Sequence, residues 1–180
     1  LAGRVLLTDP MQSGQQMGLA AMLYLGNRNA EACGLNFGDI KPMRDYPEHL
    51  VAWIFKTTKN HSNDPQSSGK TSNADRVVPV PQVLAELILQ RKKQLQFLLG
   101  EGVDVDALPL VCRGNDYFTR CSADDLTAAA RGLFHQIGIS YGQIRHAREE
   151  MEREQERGDT NEDLKKDVTA YFLRRVFATA

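Results

Sequence analysis

No stretch of eighteen apolar residues occurs in the 180-residue chain, so nothing in it has the length of a membrane-crossing helix. The opening residues, LAGRVLLTDP, lack the basic-then-apolar order of a secretory signal. With neither feature, the cytoplasm is the expected compartment. The chain opens on Leu rather than Met, which leads us to expect a fragment of a longer protein. Cysteine is scarce: Cys33, Cys112 and Cys121 are odd in number, form no C-x-x-C pair and have no histidine at ligand spacing. That argues against a disulfide framework or a metal cluster, and the three are expected as buried or free thiols. A dominant charge of one sign is missing too. With 22 Lys+Arg against 23 Asp+Glu, the net charge of −1 does not advertise a nucleic-acid partner. The sum hides an asymmetry, because residues 141–167 carry six basic and nine acidic residues, net −3, leaving +2 for the rest.

What is present is a normal globular composition, 42% hydrophobic and 25% charged, enough to bury a core in one domain. Asp9-Pro10 suggests a cap with proline at the first helical position, leading through MGLAAMLYL to a stop at Gly26. A second helix from about Arg28 is expected to carry Ala30, Cys33 and Gly34 inward and to end in a turn at Phe37-Gly38-Asp39-Ile40. HLVAWIF (49–55) and RVVPVP (76–81) are β-branched or aromatic runs separated by a polar stretch. They predict a β-hairpin with an unusually long, mobile tip. The segment QVLAELILQRKKQLQFLL places Val83, Leu84, Leu87, Ile88 and Leu95 on one helical face and stops at Gly100 and Gly102. LPLVC reads as a short strand. Ser122 with Asp125 forms a capping-box pattern ahead of the apolar stripe Leu126, Ala129, Ala130, Leu133, Phe134 and Ile137, which Gly138 ends. Residues 141–167 read as a charged, helical insertion, and VTAYFLRRVFATA as a packed helix with two adjacent arginines. The expected class is α+β, mainly α-helical, with a small β-hairpin or sheet.

Three cations stand on separated elements. Arg28 follows a glycine at a helix start, Lys70 lies in the hairpin tip, and Arg174 sits in a helix otherwise suited to burial. Taken singly, Arg28 reads as a cap or a partner for Glu31, Lys70 as a solvated loop lysine, and Arg174 as a surface arginine. Taken together, they are suited to converge on one anion.

The chain resembles the catalytic domain of the tyrosine recombinases, the phage integrase family. The family's first motif, roughly Gly-x-Arg-x-x-Glu-x-x-x-Leu-x-x-x-Asp-Ile, is met by Gly26, Arg28, Glu31, Leu35, Asp39 and Ile40. GKTSNADRVVPVP is similar to the hairpin context of the family's lysine and places it at Lys70, with Lys56 and Lys59 as weaker rivals. YFLRRVFAT, residues 171–179, resembles the second motif, with Arg174 at the second catalytic arginine and Tyr171 where the family usually has histidine. The resemblance covers most of residues 1–180, which it makes one catalytic-domain fragment.

What the resemblance implies is DNA strand cleavage and rejoining in site-specific recombination or integration. A tyrosine attacks a phosphodiester, a 3′-phosphotyrosine link forms, and a free 5′-hydroxyl leaves. Arg28 and Arg174 would clamp the non-bridging oxygens, because a planar guanidinium holds two oxygens at once and keeps its proton. Lys70 would be the general acid for the departing oxygen. Tyr171 would support by donating a hydrogen bond, since a phenol titrating near ~10 does not shuttle protons as imidazole does. Glu31 would either orient Arg28 from behind or pair with it as structure alone. The family's nucleophilic tyrosine is expected beyond Ala180, so the fragment alone is expected to be inactive and the full-length parent to be the enzyme. Tyr24, Tyr46, Tyr117 and Tyr141 read as packing or surface residues. Double-stranded DNA is the implied partner, with self-association on DNA and with no metal, cofactor or membrane. Of the clustered cations, Arg91-Lys92-Lys93, Arg113, Arg120 and Lys165-Lys166, none is assigned a specific DNA contact. The competing reading is a degenerate, non-catalytic DNA-binding relative of the same fold, and a third is a helical interaction domain of other descent.

Overall fold

The computed structural model describes residues 13–57, Gln66–Ser67 and 75–136. Among these, four α-helices and small antiparallel sheets make an α+β fold. Helix α1 (Gly14–Leu25) is its centre, with Met17, Leu19, Ala20, Ala21, Met22 and Leu25 all buried. Apolar residues on most sides suit a helix enclosed by others, and α1 packs against α2 (Asn29–Gly34), α3 (Gln82–Leu99) and α4 (Ala123–Gln136). Gly18 permits the close approach of α4, since a Cβ there would lie 2.5 Å from Leu126 Cδ1. The cap of α1 is Ser13, whose hydroxyl accepts from the Gln16 backbone N–H while the Gln16 side chain accepts from the Ser13 N–H. The sequence pattern put a cap at Asp9-Pro10, which lies outside the described residues.

Gly26 ends α1 at φ 63°, a left-handed conformation that costs glycine nothing. Helix α2 follows after two residues. It buries Glu31, Ala32, Cys33 and Gly34, whereas Ala30, expected inward, is only half-buried. A 3₁₀ turn at Phe37–Asp39 leads into β1 (Ile40–Pro42), which pairs antiparallel with β2 (Leu50–Ile54). That strand was not anticipated, because three residues ending in proline give no readable alternation. Two-residue strands β3 (Lys56–Thr57) and β4 (Gln66–Ser67) pair beyond it. Strand β5 (Arg76–Pro79) then returns alongside β2, with Ile54 opposite Arg76 and Trp53 opposite Val77. The expected hairpin is therefore present as the two right-hand strands of a β1-β2-β5 sheet. Leu50, Ala52 and Ile54 face the core, and Trp53 faces out at 45% exposure with the Lys41 ammonium 5.4 Å from its ring.

In α3 the buried stripe runs through Leu84, Ala85, Leu87, Ile88, Arg91 and Leu95. Val83, expected inside, is exposed. It sits in the first turn, on the arc next to the exposed Glu86 and Gln90. Gly100 stops the helix at φ 81°. LPLVC is buried and Pro109 makes an isolated bridge with Asn36; only Cys112 enters strand β6 (Cys112–Arg113), which forms a hairpin through Gly114 with β7 (Asp116–Arg120). The Ser122/Asp125 capping box forms in both directions, and Leu126, Ala130, Leu133 and Phe134 are buried as the spacing predicts. Ala129 is half-buried, and Ile137, Gly138, the 141–167 segment and residues 168–180 lie outside the described residues.

Two arginines from the clustered cations are interior. Arg91, 1% exposed, points Nη2 at Cys112 Sγ (3.5 Å) and lies 6.0 Å from the Tyr117 ring. Arg120 donates to the carbonyls of Cys33 (2.7 Å) and Leu35 (3.1 Å) and to Asn36 Oδ1 (2.6 Å). It thereby gives the Cys33 carbonyl a donor at the C-terminal end of α2, where a cation is electrostatically favoured, and adds a second donor to the Leu35 carbonyl, which also accepts the Leu110 N–H at 2.9 Å. Arg120→Met should remove the guanidinium donor from the Cys33 carbonyl and from Asn36 Oδ1 and lower stability by about 2 kcal/mol, read as a reduced urea midpoint with an unchanged slope. Cys33, Cys112 and Cys121 are free thiols, all buried. A hydrogen bond with Cys121, then burial, hold the Cys33 thiol well above the usual range, so it stays protonated and inert.

Candidate functional site

The first motif occupies the junction between α1 and α2. Gly26 turns the chain, Asn27 is fully buried, and Arg28 is the N-cap of α2 in an extended conformation (φ −70°, ψ 156°). An N-cap normally supplies a short acceptor side chain, which arginine lacks. Glu31, three residues on, supplies the other half of a capping box: its Oε2 accepts the Arg28 backbone N–H at 2.8 Å. Next to it, Asn29 Oδ1 accepts the Ala30 N–H at 2.8 Å, and Asn29 Nδ2 reaches Thr127 Oγ1 of α4 at 3.5 Å. The backbone under Arg28 is thus held from two sides, while its side chain is 57% exposed.

Glu31 is 3% exposed and is the hub of the cluster. Arg76, the first residue of β5, lays both guanidinium nitrogens on its carboxylate, Nη1 to Oε1 at 3.2 Å and Nη2 to Oε2 at 2.8 Å. Arg76 Nη2 also reaches Asn27 Oδ1 at 3.4 Å. The contact from Arg28 is longer, Nη1 to Oε1 at 3.5 Å. Burial by itself would raise the Glu31 carboxyl. The hydrogen bond from Arg76, the one from the Arg28 backbone and the two positive charges outweigh it and hold the group below its ordinary 4.5. A carboxylate depressed in the folded state adds stability in full above its unfolded value, and that stability is lost as pH falls through the folded value. Glu31→Gln should therefore flatten the decline in urea midpoint below about pH 4.5, measured by titrating both proteins from neutral to acidic pH.

The cluster also fixes where the Lys70 segment is rooted. Lys70 lies outside the described residues, but the chain on either side of it returns to α2: β3 packs against α2, and Arg76 grips Glu31. Of the sequence-predicted site residues, Arg28 and Glu31 are brought together as the motif implies; Lys70, Tyr171 and Arg174 lie outside the described residues. Lys59 does as well. Arg76 and Asn27 were not among the predicted residues. Alternation in β5 was the available signal for Arg76, since it shares the face of Val78 and so places a cation on the inward side of the strand.

Elsewhere the described residues offer little that competes. An open groove of about 510 Å³ between α1 and α4 is lined by Gln15, Gln16, Leu19, Asp125, Ala129 and Gly132 among others, with no cation. Its one carboxylate, Asp125, is engaged in capping α4. Among the described residues no group of three His, Cys, Asp or Glu side chains is placed to hold a metal ion, and no helix is long and apolar enough to cross a membrane. Comparison with protein-family models and with curated proteins finds no match.

Proposed function

We propose that the chain is the phosphate-activating part of a tyrosine-recombinase-type catalytic domain that cuts and rejoins double-stranded DNA. The observation that carries this reading is the geometry of Arg28: a half-exposed guanidinium on a rigidly held helix start, backed by a buried carboxylate that a second arginine neutralises. Such an arrangement suits binding of an external anion, because the positive charge is placed by structure rather than consumed by it. Arg28 and Arg174 hold the non-bridging phosphate oxygens as negative charge grows on them. Preorganised donors of this kind are worth ~3 kcal/mol each in a barrier. Lys70 gives a proton to the 5′-oxygen as the P–O bond breaks, and Tyr171 donates a hydrogen bond to the phosphate. The nucleophile is a tyrosine of the full-length protein, whose oxygen forms the new bond to phosphorus. The chemistry needs no metal or cofactor, self-association on DNA would pair the exchanging strands, and the cytoplasm is the compartment where such a protein meets its DNA.

The test is covalent trapping by the full-length protein on a nicked duplex whose cleaved fragment diffuses away. A protein–DNA adduct supports the reading. Normal DNA binding without an adduct moves the chain to the second reading, a non-catalytic DNA-binding relative, which Tyr171 at the histidine position favours.

A further inference from the structure

Glu31 has two arginines within reach, and they are not equivalent. A buried carboxylate offers about four acceptor positions. The Arg28 backbone N–H and the two Arg76 nitrogens take three of them at 2.8–3.2 Å, and the Arg28 side chain is left with a contact of 3.5 Å. Arg28 is the more exposed of the two, 57% against 29% for Arg76. Arg76, not Arg28, is thus the partner that satisfies the buried charge.

We infer that Arg76 is a positioning residue for Arg28: by saturating the Glu31 carboxylate it keeps the Arg28 guanidinium free to hold a phosphate oxyanion. This rests on the reading of Arg28 as a phosphate ligand. Without Arg76, the remaining cation beside the carboxylate among the described residues is Arg28, three residues away at the start of the same helix. A paired, doubly hydrogen-bonded arginine is the strongest available solution for a buried carboxylate. The Arg28 guanidinium would fold back onto Glu31, and its charge would be neutralised internally. Asn27 gives independent support. It is fully buried, its Oδ1 accepts from Arg76, and its Nδ2 has no hydrogen-bond partner among the described residues. Turning the amide over would set a donor against the Arg76 donor. A buried donor left unsatisfied is costly, and here that cost accompanies an orientation that holds Arg76 in place. Because Arg76 also roots β5, which follows Lys70 in the chain, the same contact ties the start of α2 to the return of the lysine-bearing segment.

The test uses the 180-residue chain and a fluorescein-labelled 20-base-pair duplex, with affinity measured over a range of salt. Each phosphate contact contributes about −0.9 to the slope of log K against log salt. Arg28→Gln should make the slope shallower by roughly 0.9. Arg76→Met should do the same although Arg76 touches no phosphate, and Arg76→Met/Glu31→Gln should restore the original slope by removing the carboxylate that captures Arg28. Arg76→Lys should fall between. Thermal unfolding of each variant ensures that binding is read on folded protein, and a staple with a purely structural role predicts lowered stability with no change of slope. If Arg28→Gln changes the slope and Arg76→Met does not, or the double variant fails to regain it, the positioning role is overturned. If Arg28→Gln leaves the slope unchanged, the phosphate reading itself fails, and the inference falls with it.

Discussion

On the proposed recombinase function, Arg28→Gln in the full-length protein should lower the rate of DNA strand cleavage roughly a hundredfold or more, the loss of ~3 kcal/mol of transition-state stabilisation. The fold should barely register the change. The Arg28 side chain is more than half exposed, and among the described residues its polar side-chain contact is a 3.5 Å approach to a carboxylate already gripped by Arg76. Exposed ion pairs of this type contribute about 0–1 kcal/mol. The backbone N–H that Glu31 accepts survives the substitution. A large kinetic loss with an unfolding free energy changed by less than about 0.5 kcal/mol would be the mark of a residue placed for chemistry. Single-turnover cleavage on a nicked duplex, alongside urea unfolding of the same preparations, reads both quantities.

Glu31→Ala should act in the opposite way, through the fold. The substitution removes the acceptor for the N–H of the N-cap residue Arg28, and loss of a cap costs about 1 kcal/mol. It also strips Arg76 of both carboxylate oxygens, and breaking a buried pair from one side costs 3–5 kcal/mol when the surviving charge stays buried. Arg76 is 29% exposed and can turn toward water, which reduces that cost. A net loss of about 3 kcal/mol is expected, and it should be larger than that of Glu31→Gln, which keeps an oxygen for the Arg28 N–H. Chemical denaturation of the two variants side by side gives the difference directly.

Part of this was legible in the sequence for reasons that are local. The Ser122/Asp125 box, the turn at Gly26 and the β2–β5 hairpin each depend on residues whose spacing is set by one helix turn or one strand pair. Arg28 and Glu31 stand three apart and meet on one helix start, so their partnership follows from the same rule. Arg76 is 45 residues from Glu31, and their contact depends on how the sheet docks on α2. No local pattern encodes that distance. Charge was also a poor guide to exposure: Arg91 and Arg120 stand among the clustered cations, yet one is buried on the inner face of α3 near Tyr117 and the other ties off the end of α2. Strand β1 was missed because Ile40–Pro42 is too short to show alternation. The reading of the three cations as one constellation rested on their places on separated elements and on the resemblance to a family, and the described residues bring together its first member and the carboxylate behind it.

The most direct measurement is a crystal structure of the 180-residue chain soaked with tungstate, a tetrahedral dianion that stands in for a DNA phosphate and is visible by its scattering. The account predicts one bound anion against the exposed face of the Arg28 guanidinium, with Lys70 and Arg174 nitrogens also within about 4 Å of its oxygens and Arg76 still on Glu31. An anion bound elsewhere, or Arg28, Lys70 and Arg174 separated by tens of ångströms, would contradict it.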